Sequence, residues 1–316
     1  MSVFYFPFVS RQKPSAFGLK HFFSNRGIAY GMAGEYTSFD SSVQAPLIKQ
    51  HAATFSTEVS MKMEYTQPMR GVYAFDYADA MIAKCQEYAI DVHGHCIMWH
   101  MQYPAWMEEA MTLADAEGRQ AILAEHVRRV MTHYAPYCES IDVVNEHQPA
   151  VEAQSGVFAR YLGLEAGRIA FTEARKVSGI CKLFYNSFFT SDADADYAIS
   201  LLEVSDGIGV QLHLNTWRDY TDLFARVRRM ADACKAQGKT MRFSEVSVQQ
   251  LEGYSLDEVA EVYRRTVRLA LEYPGVITNY TQWGVKGVAW NGGLLPFDSK
   301  GLPIEPIYDA IVREVR

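Results

Sequence analysis

Eight short runs rich in apolar and β-branched residues recur along this chain of 316 residues. Stretches with the apolar period of a helix separate them. This alternation predicts a parallel sheet built from βα units, and eight units predict an α/β fold of the (β/α)8 TIM barrel type. The predicted strands are residues 26–33, 52–57, 89–99, 140–145, 182–186, 207–213, 240–245 and 281–290. The predicted helices include residues 75–87, 114–133, 156–176, 194–203, 220–237 and 256–272.

The length and composition favour one domain over residues 1–316. Apolar residues make up 49% of the chain, which is enough for one large core, and no Pro-, Gly- or Ser-rich linker interrupts it. Barrels of about 250 residues routinely form a single domain. We therefore expect a single barrel domain.

The charge and the cysteines restrict partners and compartment. A net charge of −7 disfavours nucleic acid, which normally requires a basic face, whereas 13% aromatic residues are compatible with neutral ligands that stack on rings. No apolar run has the length of a membrane span. The five cysteines are scattered without CxxC spacing and are expected to be reduced thiols, and the first residues make a poor signal peptide. These features favour a cytoplasmic protein.

Two predicted strands lead directly into a glutamate. Glu146 follows strand 140–145, and Glu245 ends strand 240–245. Catalytic groups of a TIM barrel lie at the carboxyl ends of its strands, and two carboxylates there can provide the acid/base and the nucleophile that cleave a glycosidic bond. A lone Glu after a strand is usually a solvated loop residue. The functional interpretation is favoured by further polar and aromatic residues at the predicted strand ends, namely Glu58, Lys62, His95, Trp99, His100, Gln102, Asn145, Asn186, Gln211, His213, Trp283 and Trp290.

Four motifs in register give this pattern a family resemblance. They are Asp-Val-Val-Asn-Glu at 142–146, His-Gly-His-Cys-Ile-Met-Trp-His-Met-Gln-Tyr-Pro-Ala-Trp at 93–106, Asp-Gly-Ile-Gly-Val-Gln-Leu-His at 206–213 and Thr-Gln-Trp-Gly-Val at 281–285. Weaker echoes occur at residues 58–62, 184–186 and 306–310. With them, the chain resembles glycoside hydrolase family 10, the endo-β-1,4-xylanase family.

The resemblance implies a retaining double displacement on xylan or xylo-oligosaccharides, with no cofactor and no metal. Glu146 matches the acid/base of the family, and Glu245 matches its nucleophile. Asn145 would bond the sugar 2-hydroxyl, while Gln211 and His213 would orient Glu245. The positions implied to line sugar subsites on the non-reducing side are Lys62, His95, Trp99, Gln102, Trp283 and Trp290, with Glu58 one sugar further out and Asn186 included among the substrate-binding residues. The tryptophans are interpreted as stacking on sugars rather than as core aromatics.

The chain departs from the family pattern at four places. Ser247 stands where an Asp usually pairs with the histidine that matches His213, and Val59 replaces an asparagine after the first subsite glutamate. The segment 283–290 is one residue short and carries Gly287 in place of an Asp. Residues 187–188 read Ser-Phe where Asp-Tyr is common. These changes leave the chemistry intact and bear on specificity.

Three alternatives remain open from the sequence. The chain could act on another β-glycoside, such as an aryl or decorated one, or bind carbohydrate without cleaving it. The His93 and His95 pair also occurs in metal-dependent amidohydrolases, but that design needs later ligands, and the last predicted strand offers Trp283 and Trp290 instead of an Asp.

Overall fold

The computed structural model describes residues 17–149, 156–216 and 219–316. Eight parallel strands close into a barrel in chain order, with the last strand pairing the first. The strands are β1 Ala29–Gly34, β2 Thr54–Thr57, β3 Asp91–Trp99, β4 Ser140–Asn145, β5 Lys182–Ser187, β6 Gly207–Asn215, β7 Thr240–Gln249 and β8 Ile277–Gln282. This confirms the predicted (β/α)8 barrel.

Helices surround the barrel. In chain order they are α1 Leu19–Ser24, α2 Thr37–Asp40, α3 Gln44–His51, α4 Met63–Thr66, α5 Asp76–Glu87, α6 Ala105–Leu113, α7 Ala116–Tyr134, α8 Val157–Leu162, α9 Glu165–Arg175, α10 Asp192–Ser200, α11 Thr221–Ala236, α12 Leu256–Leu271 and α13 Glu305–Val315, and a 3₁₀ turn Leu201–Glu203 follows α10. No helix in these ranges is both long enough and apolar enough to cross a membrane.

Helix α12 shows how local sequence sets an element and its packing. Ser255 accepts the backbone N–H of Glu258, and Glu258 accepts the N–H of Ser255 in return, so two of the unpaired donors at the helix start are satisfied. Val259, Tyr263 and Val267 then recur on one face, and all three are fully buried. This face covers the barrel, as the amphipathic period requires.

Barrel closure is supported by aromatic residues between the first and last strands. Tyr30 of β1 lies opposite Tyr280 of β8, with ring centroids 6.1 Å apart and planes 15° from parallel. The Tyr30 hydroxyl donates to Oε1 of Gln282 at 2.6 Å, so its polar atom is satisfied inside the core.

Most predicted elements are shifted by a few residues at their ends, and three differ more clearly from the structure. The predicted helix 156–176 is divided into α8 and α9, because Gly163 adopts φ 59°, which ends the first helix. The predicted strand 281–290 is wrong at both ends, because β8 runs from Ile277 to Gln282. Gly284 turns the chain with φ 131° just after the strand. Strand β7 continues four residues past Glu245 because β6 and β7 pair as far as Asn215 and Gln249.

Candidate active site

The carboxyl ends of the strands surround one cleft of about 850 Å³. Strand register brings the predicted residues together: Trp99, Asn145 and Asn186 are successive partners across β3, β4 and β5. Gln211 lies opposite Glu245, and His213 lies opposite Ser247. All predicted site residues except Asn186 line the cleft. Asn186 lies just beneath Glu245 and donates a hydrogen bond to it.

Glu245 is held by two polar side chains and is only 4% exposed. Nδ2 of Asn186 donates to its Oε1 at 2.8 Å, and Nε2 of His213 lies 3.0 Å from its Oε2. Ser244 donates to Oδ1 of Asn186 at 2.5 Å and fixes the amide. A Cβ on Gly209 would lie 2.6 Å from that same Oδ1, so glycine leaves the room that Asn186 occupies. The carboxylate of Glu245 is thus fixed in place by hydrogen bonds.

Glu146 has a different environment. It follows β4 directly, as predicted, and its backbone adopts φ 53°, a left-handed conformation that few side chains take. Nε1 of Trp99 donates to its Oε2 at 2.8 Å, and Nε2 of Gln211 donates to its Oε1 at 2.9 Å. The expectation that Gln211 orients Glu245 is therefore wrong: its side chain reaches across the barrel mouth from β6 to Glu146.

The amide of Asn145 lies between the side chains of Asn186 and Gln211. It is 3.0 Å from Nδ2 of Asn186 and 3.2 Å from Nε2 of Gln211. Asn186, which holds Glu245, and Gln211, which holds Glu146, are therefore linked through Asn145.

Ser247 faces His213, as its position in the sequence indicated. Its hydroxyl lies 2.8 Å from Nδ1 of His213 and 3.3 Å from Oδ1 of Asn291. A Cβ on Gly293 would lie 2.6 Å from this hydroxyl, so the space beside Ser247 is tight. His213 consequently has a neutral partner on one ring nitrogen and a carboxylate on the other.

Polar side chains line the cleft beside β2 and β3. Nζ of Lys62 donates to Oε1 of Gln102 at 2.7 Å and lies 4.4 Å from the Trp99 ring centroid, while Nε2 of Gln102 donates to Glu64 at 2.8 Å. These bonds fix a charged, hydrogen-bonding wall against the tryptophan ring.

Glu35, which the sequence analysis did not single out, shapes the loop that carries Glu58 and Val59. Its Oε1 accepts the backbone N–H groups of Glu58, Val59 and Ser60 at 3.1, 2.5 and 3.0 Å. Burial raises the pKa of Glu58, and the nearby Glu35 carboxylate raises it further. Glu35 follows β1 directly, so the strand-end rule that identified Glu146 would also have found it.

A buried polar chain supports His95 from below. Nδ1 of His95 lies 2.9 Å from Oδ2 of Asp142, and Nε2 of His93 lies 3.0 Å from the same oxygen. Nδ1 of His93 contacts Ser140 at 2.8 Å, and Ser140 in turn accepts from Arg242 at 3.1 Å.

The surroundings of His93 and His95 affect the charge of each ring differently. Burial and the Arg242 cation lower the pKa of His93, which disfavours its charged form. Although burial disfavours the charge, Cys96 and the hydrogen-bonded Asp142 raise the pKa of His95 well above its usual value. The imidazolium is therefore the ring that lines the cleft.

The two predicted tryptophans of the last segment differ in setting. Trp283 is 5% exposed, and its ring centroid lies 5.2 Å from that of His95. Trp290 is 73% exposed and belongs to the loop after β8, at a centroid distance of 5.6 Å from His213. Both line the cleft, although Trp290 does so from a loop rather than from a strand end.

In the part of the chain that the structure describes, no three His, Cys, Asp or Glu side chains group so as to hold a metal ion. The His93 and His95 pair is instead bound to Asp142 inside the barrel. The arrangement that the residues do form is two carboxylates, on β7 and directly after β4, facing one polar and aromatic cleft.

Comparison with known families decides the classification. The model of glycosyl hydrolase family 10 matches residues 18–314. The chain belongs to this family. The resemblance drawn from its motifs is thereby confirmed.

Curated relatives carry xylanase names. Endo-1,4-beta-xylanase A of Caldicellulosiruptor sp. (strain Rt8B.4) is 27% identical over 297 residues, which cover 84% of this chain and 43% of that protein. The chain thus spans less than half of that relative's length. Beta-1,4-xylanase of Dictyoglomus thermophilum is 27% identical over 268 residues, covering 76% of this chain and 72% of its own.

Solved structures share the fold. A mutant structure in complex with xylotriose superposes with a TM-score of 0.81 at 25% identity, covering 93% of this chain and 99% of the other. Xylanase 10B from Thermotoga petrophila RKU-1 in complex with xylobiose gives a TM-score of 0.84 at 22% identity, covering 96% and 98%. Proteins similar to this one therefore bind xylo-oligosaccharides.

Proposed function

We propose that this family 10 glycoside hydrolase is an endo-1,4-β-xylanase that cleaves β-1,4-xylosidic bonds in xylan or xylo-oligosaccharides with retention of configuration. The observation that carries the proposal is the contrast between the two carboxylates of one cleft. Glu245 is fixed by Asn186 and His213, whereas Glu146 is hydrogen-bonded to Trp99 and Gln211. In this proposal Glu245 attacks as the nucleophile, and Glu146 transfers the proton.

In the first step of the proposed reaction, a Glu245 oxygen attacks the anomeric carbon. The bond from that carbon to the leaving oxygen breaks, and Glu146 gives its proton to that oxygen. In the second step Glu146 takes a proton from water, the water oxygen attacks the anomeric carbon, and Glu245 leaves as a carboxylate. Glu245 and then water attack the anomeric carbon from opposite faces. Each attack inverts the configuration, so the two steps together retain it.

The other polar residues bind the sugar in this proposal. Asn145, which lines the cleft beside Glu146, would bond the 2-hydroxyl, an interaction that strengthens in the transition state. Lys62, Gln102 and Glu58 line the wall where hydroxyls of the non-reducing sugars need partners. His95 adds a donor beneath the first sugar.

Activity on polymeric xylan, 4-nitrophenyl β-xylobioside and 4-nitrophenyl β-cellobioside tests the proposal, with the released oligosaccharides separated by chromatography. We expect xylo-oligosaccharides from xylan and a clear preference for the xylobioside. Glu245→Gln is the matched control, because it keeps the side-chain shape and removes the nucleophile. Turnover of the cellobioside alone would assign another β-glycoside, and no turnover of any of the three would leave a carbohydrate-binding barrel.

A further inference from the structure

Three tyrosines lie outside the cleft, on the connections that follow β1 and β2. Tyr36 comes two residues after β1, Tyr65 belongs to α4, and Tyr77 is the second residue of α5. In a (β/α)8 barrel the segments that lead from a strand to the next helix lie at the carboxyl ends of the strands. All three tyrosines therefore lie on the face of the barrel that carries the cleft.

These tyrosines form one cluster, called here the tyrosine cluster. The ring centroids of Tyr36 and Tyr77 are 5.3 Å apart, with planes 86° from parallel, which is an edge-to-face contact. Burial raises the pKa of Tyr77, and the nearby Glu35 carboxylate and the hydroxyls of Tyr36 and Tyr65 raise it further. Tyr65 and Glu35 are thus close neighbours of the stacked pair.

Much of the tyrosine cluster faces solvent. Tyr65 is 43% exposed, Tyr77 is 45% exposed and Tyr36 is half-buried, whereas Tyr30 and Tyr280 inside the barrel are fully buried. A single exposed apolar side chain is common on a protein surface. Several exposed rings that lie together beside a cleft are instead typical of a ligand-binding surface.

A first link joins the tyrosine cluster to the wall of the cleft. Glu35, which directly precedes Tyr36, accepts the backbone N–H groups of Glu58 and Val59. Both of these residues line the cleft. The position of Tyr36 is therefore fixed relative to the loop on which the proposed function places the second sugar.

A second link joins the cluster to the same wall from α4. Glu64, which directly precedes Tyr65, accepts from Nε2 of Gln102 at 2.8 Å, and its backbone N–H donates to the Gln102 carbonyl at 3.1 Å. Gln102 lines the cleft and binds Lys62. The tyrosine cluster consequently continues the cleft wall and is held in place before any ligand arrives, which lowers the entropic cost of binding.

The charges near the cluster favour a neutral ligand. An acidic residue directly precedes each of the three tyrosines, namely Glu35, Glu64 and Asp76. An anionic ligand would be repelled by these carboxylates. A pyranose ring is neutral, and its C–H faces can cover a tyrosine ring while the hydroxyls at its edge stay in water.

We propose that the tyrosine cluster is a distal sugar subsite, whose rings stack on neutral xylose residues beyond the two that lie nearest the cleaved bond on the non-reducing side. This proposal rests on the proposed function and deepens it. Long xylan chains contact the cluster, whereas short oligosaccharides do not reach it. The protein therefore acts faster on long chains than on short ones.

Two chromogenic substrates separate the cluster from the rest of the cleft. 4-Nitrophenyl β-xylobioside fills the two sugar positions nearest the cleaved bond, whereas 4-nitrophenyl β-xylotetraoside also reaches the cluster. The measured quantity is the ratio of kcat/KM for release of 4-nitrophenol from the tetraoside to that from the bioside. We expect a native ratio of about 25, because each of two stacked sugars should contribute about fivefold by covering roughly 40 Å² of apolar surface.

Substitutions then assign this ratio to the rings. The double variant Tyr65→Ala and Tyr77→Ala should lower the ratio by about tenfold, because both exposed stacking surfaces are removed. Tyr65→Phe keeps the ring and should keep the ratio within about twofold. Tyr137→Ala is the matched control, since Tyr137 is 51% exposed and lies between α7 and β4, at the opposite face of the barrel, so the ratio should not change.

A native ratio below about 3, or a double variant that lowers the ratio by less than about threefold, would refute the distal subsite. Turnover of the bioside reports the proposed function separately, because this substrate does not reach the cluster. If neither substrate is turned over, native gel electrophoresis through soluble unsubstituted xylan decides the matter. Retardation of the native protein that the double variant loses supports the subsite, and equal mobility of the two proteins refutes it.

Discussion

Replacing Asn186 by alanine should impair attack by the nucleophile. The change removes the Nδ2 donor that lies 2.8 Å from Oε1 of Glu245, and this bond is charge-assisted. Such bonds contribute about 1.5–3 kcal/mol, which corresponds to a loss of roughly 10- to 150-fold in kcat/KM. Ser244→Ala is the graded control, because it removes only the hydroxyl that fixes the Asn186 amide and should cost about 0.5–1.5 kcal/mol.

The substrate for this assay is 2,4-dinitrophenyl β-xylobioside, whose leaving group needs no proton. A defect at Glu146 is largely hidden with this substrate, whereas a defect at Glu245 is not. The loss in Asn186→Ala should therefore be as large on the activated substrate as on xylotriose. A loss below threefold in a protein that unfolds at the native temperature would refute the role of Asn186 in holding the nucleophile.

Four further outcomes are expected. Glu245→Ala should abolish turnover of every glycoside, while Glu146→Ala keeps the first step on activated aryl glycosides and is rescued by azide; equal loss in both would reverse the assignment. Proton NMR of a β-linked substrate should show the β-anomer first, and the α-anomer first would exclude the retaining mechanism. Ser247→Asp places an anion beside Nδ1 of His213 and thereby favours the imidazolium form of this residue. The pH profile of kcat/KM should therefore shift to higher pH. An unchanged profile would mean that Gly293 and Asn291 prevent the contact. Val59→Asn should increase the gain in kcat/KM from an aryl xyloside to an aryl xylobioside by about tenfold or less, the value of one hydrogen bond; no change in that gain would place the second sugar away from Val59.

The sequence predicted the barrel because the apolar period of each strand and helix is a local property of the chain. Strand β4 and the position of Glu146 follow from a run of six residues and needed no knowledge of the rest of the chain. The loop after β8 was harder, because Val285, Val288 and Trp290 continue an apolar pattern past the point where Gly284 turns the backbone. Period alone does not locate such an end.

Contacts across the barrel mouth were beyond the sequence pattern. Gln211 could reach either carboxylate, and the choice depends on the side-chain direction of β6 relative to β4, which are not neighbouring strands. Asn186 was predicted at the site, but its bond to Glu245 depends on the absence of a side chain at Gly209 on the next strand. Such three-way packing is visible only in the folded chain.

The polar chain beneath His95 has a consequence for anyone who tries to make this enzyme more heat-resistant. It begins at the amino end of β4, where Ser140 donates to Glu139, and passes through His93 and Asp142 to the cleft. Exchange of buried ionic groups for well-packed aliphatic side chains is often neutral or stabilising. A screen that selects only for stability at high temperature would thus accept substitutions that remove the hydrogen-bonded support of His95. Variants from such a screen must therefore be ranked by turnover as well as by melting temperature.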